Sequence, residues 1–112
     1  MEKEWKEGHS GESHKHYAAT TFIEETGVVS SVPTELVGVF VTCNTNPCTV
    51  RVHDGPNAQS PVIADLDAQA ARTIPFLPPE HILAVRGLYF VLSGDVKSVT
   101  IQWRPLPAGW RP

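Results

Sequence analysis

The sequence predicts an all-β fold, an antiparallel β-sandwich or jelly-roll-like domain, and three observations carry that prediction. Short runs rich in β-branched and aromatic residues alternate apolar with polar positions at a period of two. Turn residues interrupt these runs roughly every 8–14 positions, the cadence of a sandwich or small barrel. No stretch of ten or more residues carries a 3.6-residue apolar period, which argues against helices packed on a parallel sheet.

Charge divides the chain. Residues 1–27 hold three Lys and six acidic residues, whereas residues 28–112 hold six basic and six acidic ones, so the whole net charge of −3 falls in the first quarter. All ten prolines lie after position 32. The expected organisation is a polar N-terminal arm over 1–27, a sandwich over 28–104 and a short Pro-rich, extended tail over 105–112. From about Tyr17 the arm changes character. Thr20, Thr21, Phe22, Ile23, Val28, Val29 and Val32 are β-formers, and Glu25–Gly27 is suited to a turn between two short strands.

Within the body, Leu36–Cys43 reads as a strand apolar on both faces and therefore central. Val37, Val39 and Val41 are assigned to one face, and Leu36, Phe40 and Thr42 to the other. Asn44–Pro47 is a turn by composition, and a hairpin there would pair the strands on either side. Thr49–His53 alternates Val50 and Val52 against Arg51 and His53. Asp54–Gly55–Pro56–Asn57 is a strong turn signal. Val62, Ala64 and Leu66 then fall in register, and 67–71 reads as a connection or one helical turn. Pro75, Pro78 and Pro79 confine the run Arg72–Phe76 to an edge or a loop. Ile82–Val85 is a short strand, and Leu88, Phe90 and Leu92 alternate in the next. Ser93–Gly94–Asp95 has the residues of a hairpin turn, and Val99, Ile101 and Trp103 alternate in the closing strand.

The totals exclude several classes. At 112 residues there is room for one domain, and 41% apolar with 19% charged residues is ordinary for a packed fold. A weakly negative chain without a basic run lacks the electrostatic footprint of a nucleic-acid binder. Residues 1–17 are too charged for a signal peptide, and no run approaches the roughly 18 apolar residues of a membrane span. Synthesis in a cytoplasm is expected, with later release as part of a particle left open.

One line of text is recognisable: VRVHDGPNAQSPVIADLDAQ at 50–69, ARTIPFLPP at 71–79 and VRGLYFVLSGDVKSVTIQW at 85–103. His53, Asp54, Gly55, Ala64, Leu66, Gly87, Leu88, Tyr89, Ser93, Gly94, Val99 and Ile101 carry the pattern. It resembles small β-sandwich virion proteins of tailed bacteriophages, of the capsid decoration or cement type and the head–tail accessory type. The resemblance implies a structural role in the virion and contact with a major capsid protein or other virion proteins. The first 35 residues, the cysteine pair and the C-terminal tail lie outside it.

Chemistry-bearing groups are few. His9, His14 and His16 with Glu7 and Glu12 offer metal-ligating types, though a solvated polar arm is the simpler reading. Cys43 and Cys48 flank the 44–47 turn. A disulfide, two free thiols, or a metal site helped by His53 all remain open, and the spacing is not that of a CxxC redox motif. Asp54, Asp65, Asp67 and Asp95 are scattered, and Asp54 and Asp95 stand beside glycines where turn chemistry favours Asp. No P-loop, dinucleotide loop, H-E-x-x-H or nucleophile elbow occurs. Trp103 continues an alternating strand and is expected in the core. Trp5, Tyr17 and Trp110 lie in or beside the irregular ends, and amphipathic rings there are candidate partner-binding residues.

The expectation is therefore a non-enzymatic virion protein, without cofactor, that forms a homo-oligomer and holds its partner through its extended ends. Nucleic-acid and membrane partners are not expected. A tail or collar accessory role is one alternative. A carbohydrate- or host-surface-binding module using Trp, Tyr89 and Asp54 is another, and a small hydrolase or metal-dependent enzyme is a third.

Overall fold

The computed structural model describes residues 18–107. Among these residues nine strands form two antiparallel sheets packed face to face: β1 (Ala19–Ile23), β2 (Gly27–Ser30), β3 (Thr34–Cys43), β4 (Cys48–Asp54), β5 (Val62–Ala68), β6 (Thr73–Phe76), β7 (Ile82–Ala84), β8 (Leu88–Leu92) and β9 (Val96–Pro105). The first sheet has the order β1-β9-β3-β6, with β7 also paired to β3, and the second has the order β2-β8-β4-β5. This is the antiparallel β-sandwich that the period-two text predicts. The sandwich begins before residue 28, because β1 pairs with β9 along its whole length, from Ala19 opposite Trp103 to Ile23 opposite Val99.

The core lies between the sheets. Leu36, Val39, Val41, Val99 and Ile101 from the first sheet meet Val50, Val52, Leu88 and Phe90 from the second, and each is 2% exposed or less. Side chains of this kind each contribute about 1.5–3 kcal/mol when fully removed from water. Trp103 packs against this cluster, and its indole N–H donates to Thr21 Oγ1 at 2.9 Å. The one hydrogen-bonding group on that ring is thereby satisfied.

Three register shifts rearrange faces that strict alternation misassigns. In β3, Leu36 pairs with Trp103 and Gly38 with Gln102, leaving Val37 as an extra residue. Leu36 therefore joins Val39 and Val41 in the core instead of Phe40 and Thr42 on the outside. In β9 the shift leaves Lys97 extra, so Val96 and Val99 both point inward. In β5, Ile63 is extra between Val62 and Ala64. Ala64 and Leu66 pack inward while Val62 is half exposed, so the three do not share one face.

Two turns read as hairpins join strands of different sheets. The 44–47 turn carries the chain from β3 in the first sheet to β4 in the second, and 93–95 carries it from β8 to β9. Turn residues specify a reversal of direction, but the partner strand is chosen by non-local packing. Pro75 does sit in an edge strand. Among the described residues β6 pairs only with β3, from Val39 opposite Phe76 to Thr42 opposite Thr73. β7 continues the same edge from Leu36 opposite Ile82 to Thr34 opposite Ala84. The residues 77–81 between them loop out opposite Val37 and Gly38.

Candidate functional site

At one end of the first sheet the two ends of the described chain lie close together. Ala19, where β1 starts, pairs with Trp103 near the end of β9, and Leu106 N–H donates to Pro33 O at 2.9 Å just beyond it. The start of β1 and the end of β9 therefore lie on adjacent strands, whose backbones in a sheet are about 4.8 Å apart. Trp5, Tyr17 and Trp110 lie outside the described residues, as do His9, His14 and His16.

Apolar side chains line up on the outer face of the first sheet. Phe22 opposes Thr100, Thr100 opposes Phe40 and Phe40 opposes Pro75, making a row across four strands. Phe22 is 61% exposed, and Leu77, at 58%, lies over Gly38 one row along. A Cβ at Gly38 would come within 2.6 Å of Leu77 Cδ2, so glycine there makes room for the leucine. Beyond them Glu35 accepts from His81 Nδ1 and pairs with Arg104 Nε at 3.0 Å, fastening the 77–81 loop to the sheet. The composition held no sign that Phe22, Phe40, Pro75 and Leu77 would share a surface. Strand order is the missing information, because their row exists only once β1, β9, β3 and β6 are neighbours.

Cys43 and Cys48 form a disulfide with their Cα atoms 5.6 Å apart. It joins the end of β3 to the start of β4 and so crosses from one sheet to the other. Both residues are 2% exposed. Thiolate chemistry and a cysteine-ligated metal are thereby ruled out in this state. Around this corner, Asn44 N–H donates to Asp95 O at 2.9 Å and Ala71 N–H to Asn44 O at 2.6 Å. Asn46 Nδ2 donates to Asp95 Oδ1 at 3.2 Å.

Asp54 and His53 are structural at the opposite end of β4. Asp54 Oδ1 accepts the Arg86 N–H at 2.7 Å, and Asp54 N–H donates to Pro61 O at 2.8 Å. Asp54 is only 9% exposed, which removes it from any ligand platform. His53, 4% exposed, hydrogen-bonds the Ser60 carbonyl through Nδ1 at 2.8 Å. A carbonyl only accepts, so Nδ1 carries the proton. The ring stands edge-on to Tyr89, with centroids 6.2 Å apart. Among the described residues no three His, Cys, Asp or Glu side chains gather where a metal ion would be held.

An open groove of about 350 Å³ crosses the outer face of the second sheet, lined by Thr49, Arg51, Ala58, Asp65, Val91 and Ser93 among others. Arg51 Nη2 lies 3.3 Å from Asp65 Oδ2, and both side chains are more than half exposed. A second cleft, of about 200 Å³, opens between the edges β5 and β6, with Val41 beside Leu66, Ile74 and Phe76. Asp65 and Asp67 both line it, but Asp95 is at the disulfide corner and Asp54 holds the Arg86 N–H, so the four aspartates are not brought together.

No family model, curated protein or solved structure matches the chain.

Proposed function

We propose that this protein is a virion structural protein of the tailed-phage kind, one that decorates or cements a capsid. The sandwich is a rigid body, and attachment is made by the extended ends to the major capsid protein or a neighbouring virion protein. The observation that supports this reading is the pairing of Ala19 with Trp103. It roots the segment carrying Trp5 and Tyr17 beside the segment carrying Trp110. Two short aromatic-bearing segments sprung from one end are able to grip a single neighbouring surface together, and the second contact is strengthened by the first. The apolar row Phe22, Phe40 and Pro75 begins on the same strand, β1, and adds contact area close by. The mechanism is assembly, with no chemical step, and the location is the virion after assembly in the host cytoplasm.

Purified protein mixed with undecorated capsids tests the reading directly. Co-sedimentation is expected. Deleting residues 1–16, or Trp110→Ala, is expected to weaken it at least tenfold while the β-sheet circular dichroism stays intact. Absence of co-sedimentation, or attachment indifferent to both changes, removes the reading.

A further inference from the structure

Among the described residues the two sheets have four edges, which differ in how they are protected against further pairing. The β5 edge carries Asp65 and Asp67. The β6–β7 edge carries Pro75 and is broken by the 77–81 loop. The β2 edge is four residues long and its register shifts between Val28 and Ser30. Charges, proline, shortness and bulges are the usual means of keeping an edge from adding another strand. β1 has none of them. It is a regular five-residue strand, Ala-Thr-Thr-Phe-Ile, uncharged and without proline, paired only with β9 among the described residues. Its outward-facing Phe22 is 61% exposed.

We infer that β1 is a self-association edge, at which a second copy of this chain adds its own β1 in antiparallel orientation about a two-fold axis through Thr21. That register pairs all five residues. Thr21 meets Thr21 of the second copy, Thr20 meets Phe22, and Ala19 meets Ile23. Thr20 and Phe22 face the same side as Phe40, so each contact sets an aromatic ring against a β-branched side chain, a favourable cross-strand pair. The apolar row of the outer face is thereby lengthened into the second copy. The occupant is a second copy because the edge is complementary to itself. Glu24 and Glu25 follow directly on β1. An antiparallel copy keeps the two acidic pairs at opposite ends of the seam, whereas a parallel copy sets like with like. Such an isologous contact closes at two chains, so it yields a dimer instead of a fibre.

This inference gives the proposed virion component its self-association surface and rests on that reading only for its biological setting. Sedimentation velocity on the full chain across a hundredfold concentration range is the test. A monomer–dimer equilibrium is expected, with hydrogen-exchange protection of the β1 amides rising as dimer forms. Thr20→Lys with Phe22→Lys puts lysine opposite lysine in the proposed register and is expected to weaken the dimer at least tenfold. Thr20→Glu with Phe22→Lys sets opposite charges across the same rungs and is expected to restore most of that loss. Both positions are exposed, so melting curves should show either variant folded. A chain monomeric throughout overturns the inference, as does a dimer indifferent to the double lysine change. Loss of the dimer in both variants overturns the antiparallel register. A chain that dimerises through β1 but ignores capsids leaves this inference standing and removes the decoration reading; capsid binding by a strict monomer does the reverse.

Discussion

Cys43 and Cys48 are five positions apart, yet they belong to opposite sheets, and their disulfide clasps the sandwich at the corner where the chain crosses. A bond between strands already paired in a hairpin would only duplicate a restraint the backbone ladder supplies. Between sheets it fixes a contact that side-chain packing alone would have to hold. The loop closed is short, so loop-closure entropy assigns it about 2 kcal/mol. Reduction under non-denaturing conditions is expected to lower the melting temperature by roughly 10 °C, as a stability loss of that size does in a domain this small. Thermal melts with and without reductant check this, and an unchanged midpoint in protein verified as reduced would contradict it.

Asp54→Ala leaves the Arg86 N–H without its acceptor at 2.7 Å in a part-buried site. An orphaned donor there costs about 1–3 kcal/mol, and Asp54→Asn, which keeps an acceptor oxygen, is expected to cost less. Urea unfolding of the two variants separates them. Equal losses would mean that the carboxylate acts by its charge and not by this hydrogen bond.

Gly38 and Gly87 should respond to alanine to different degrees. At Gly87, φ is +123° and an added Cβ would sit 2.5 Å from the Ser30 carbonyl oxygen, so Gly87→Ala is expected to destabilise by about 2 kcal/mol or more. At Gly38 the obstacle is Leu77 Cδ2, the far end of an exposed side chain that is free to swing aside. Gly38→Ala is expected to stay within about 1 kcal/mol of wild type. Midpoints in one denaturant series decide it.

Glu35 and Arg51 offer a contrast between ion pairs. Glu35, about a quarter exposed, meets both His81 and Arg104, whereas Arg51 meets Asp65 with both partners open to solvent. Glu35→Ala is expected to cost about 1 kcal/mol and to speed hydrogen exchange of amides in the 77–81 loop. Arg51→Ala is expected to change stability by less than about 0.5 kcal/mol. Fast exchange of that loop in the wild type would undo the fastening role given to Glu35.

What was legible in the sequence was the strands. Val50 and Val52, Leu88 and Phe90, and Val99, Ile101 and Trp103 face the core as their alternation says. What was not legible was where alternation breaks. Val37, Ile63 and Lys97 are the inserted residues of three register shifts, and nothing in their side chains marks them, since a bulge is a property of two strands aligned and not of one. Sheet membership was hidden for the same reason. Asn44–Pro47 and Ser93–Asp95 have the residues of tight turns, but the cysteines beside one and the strands beside the other are partitioned by packing partners far away in sequence. The charge break near Gly27 marks a change in composition, and the fold ignores it, because β1 needs only Thr, Phe and Ile to add to β9. The candidate partner residues Trp5, Tyr17 and Trp110 were read from their place in the text, and they lie outside the described residues.

The adjacency of Ala19 and Trp103 also governs how the molecule bears tension. Force applied between the two ends loads the β1–β9 ladder one rung at a time, the weakest geometry a sheet offers, and β1 peels away first. When both ends are fastened to a single platform the strain runs through them side by side, and that ladder is spared. The same body is therefore fragile when stretched between two anchors and durable when tethered to one.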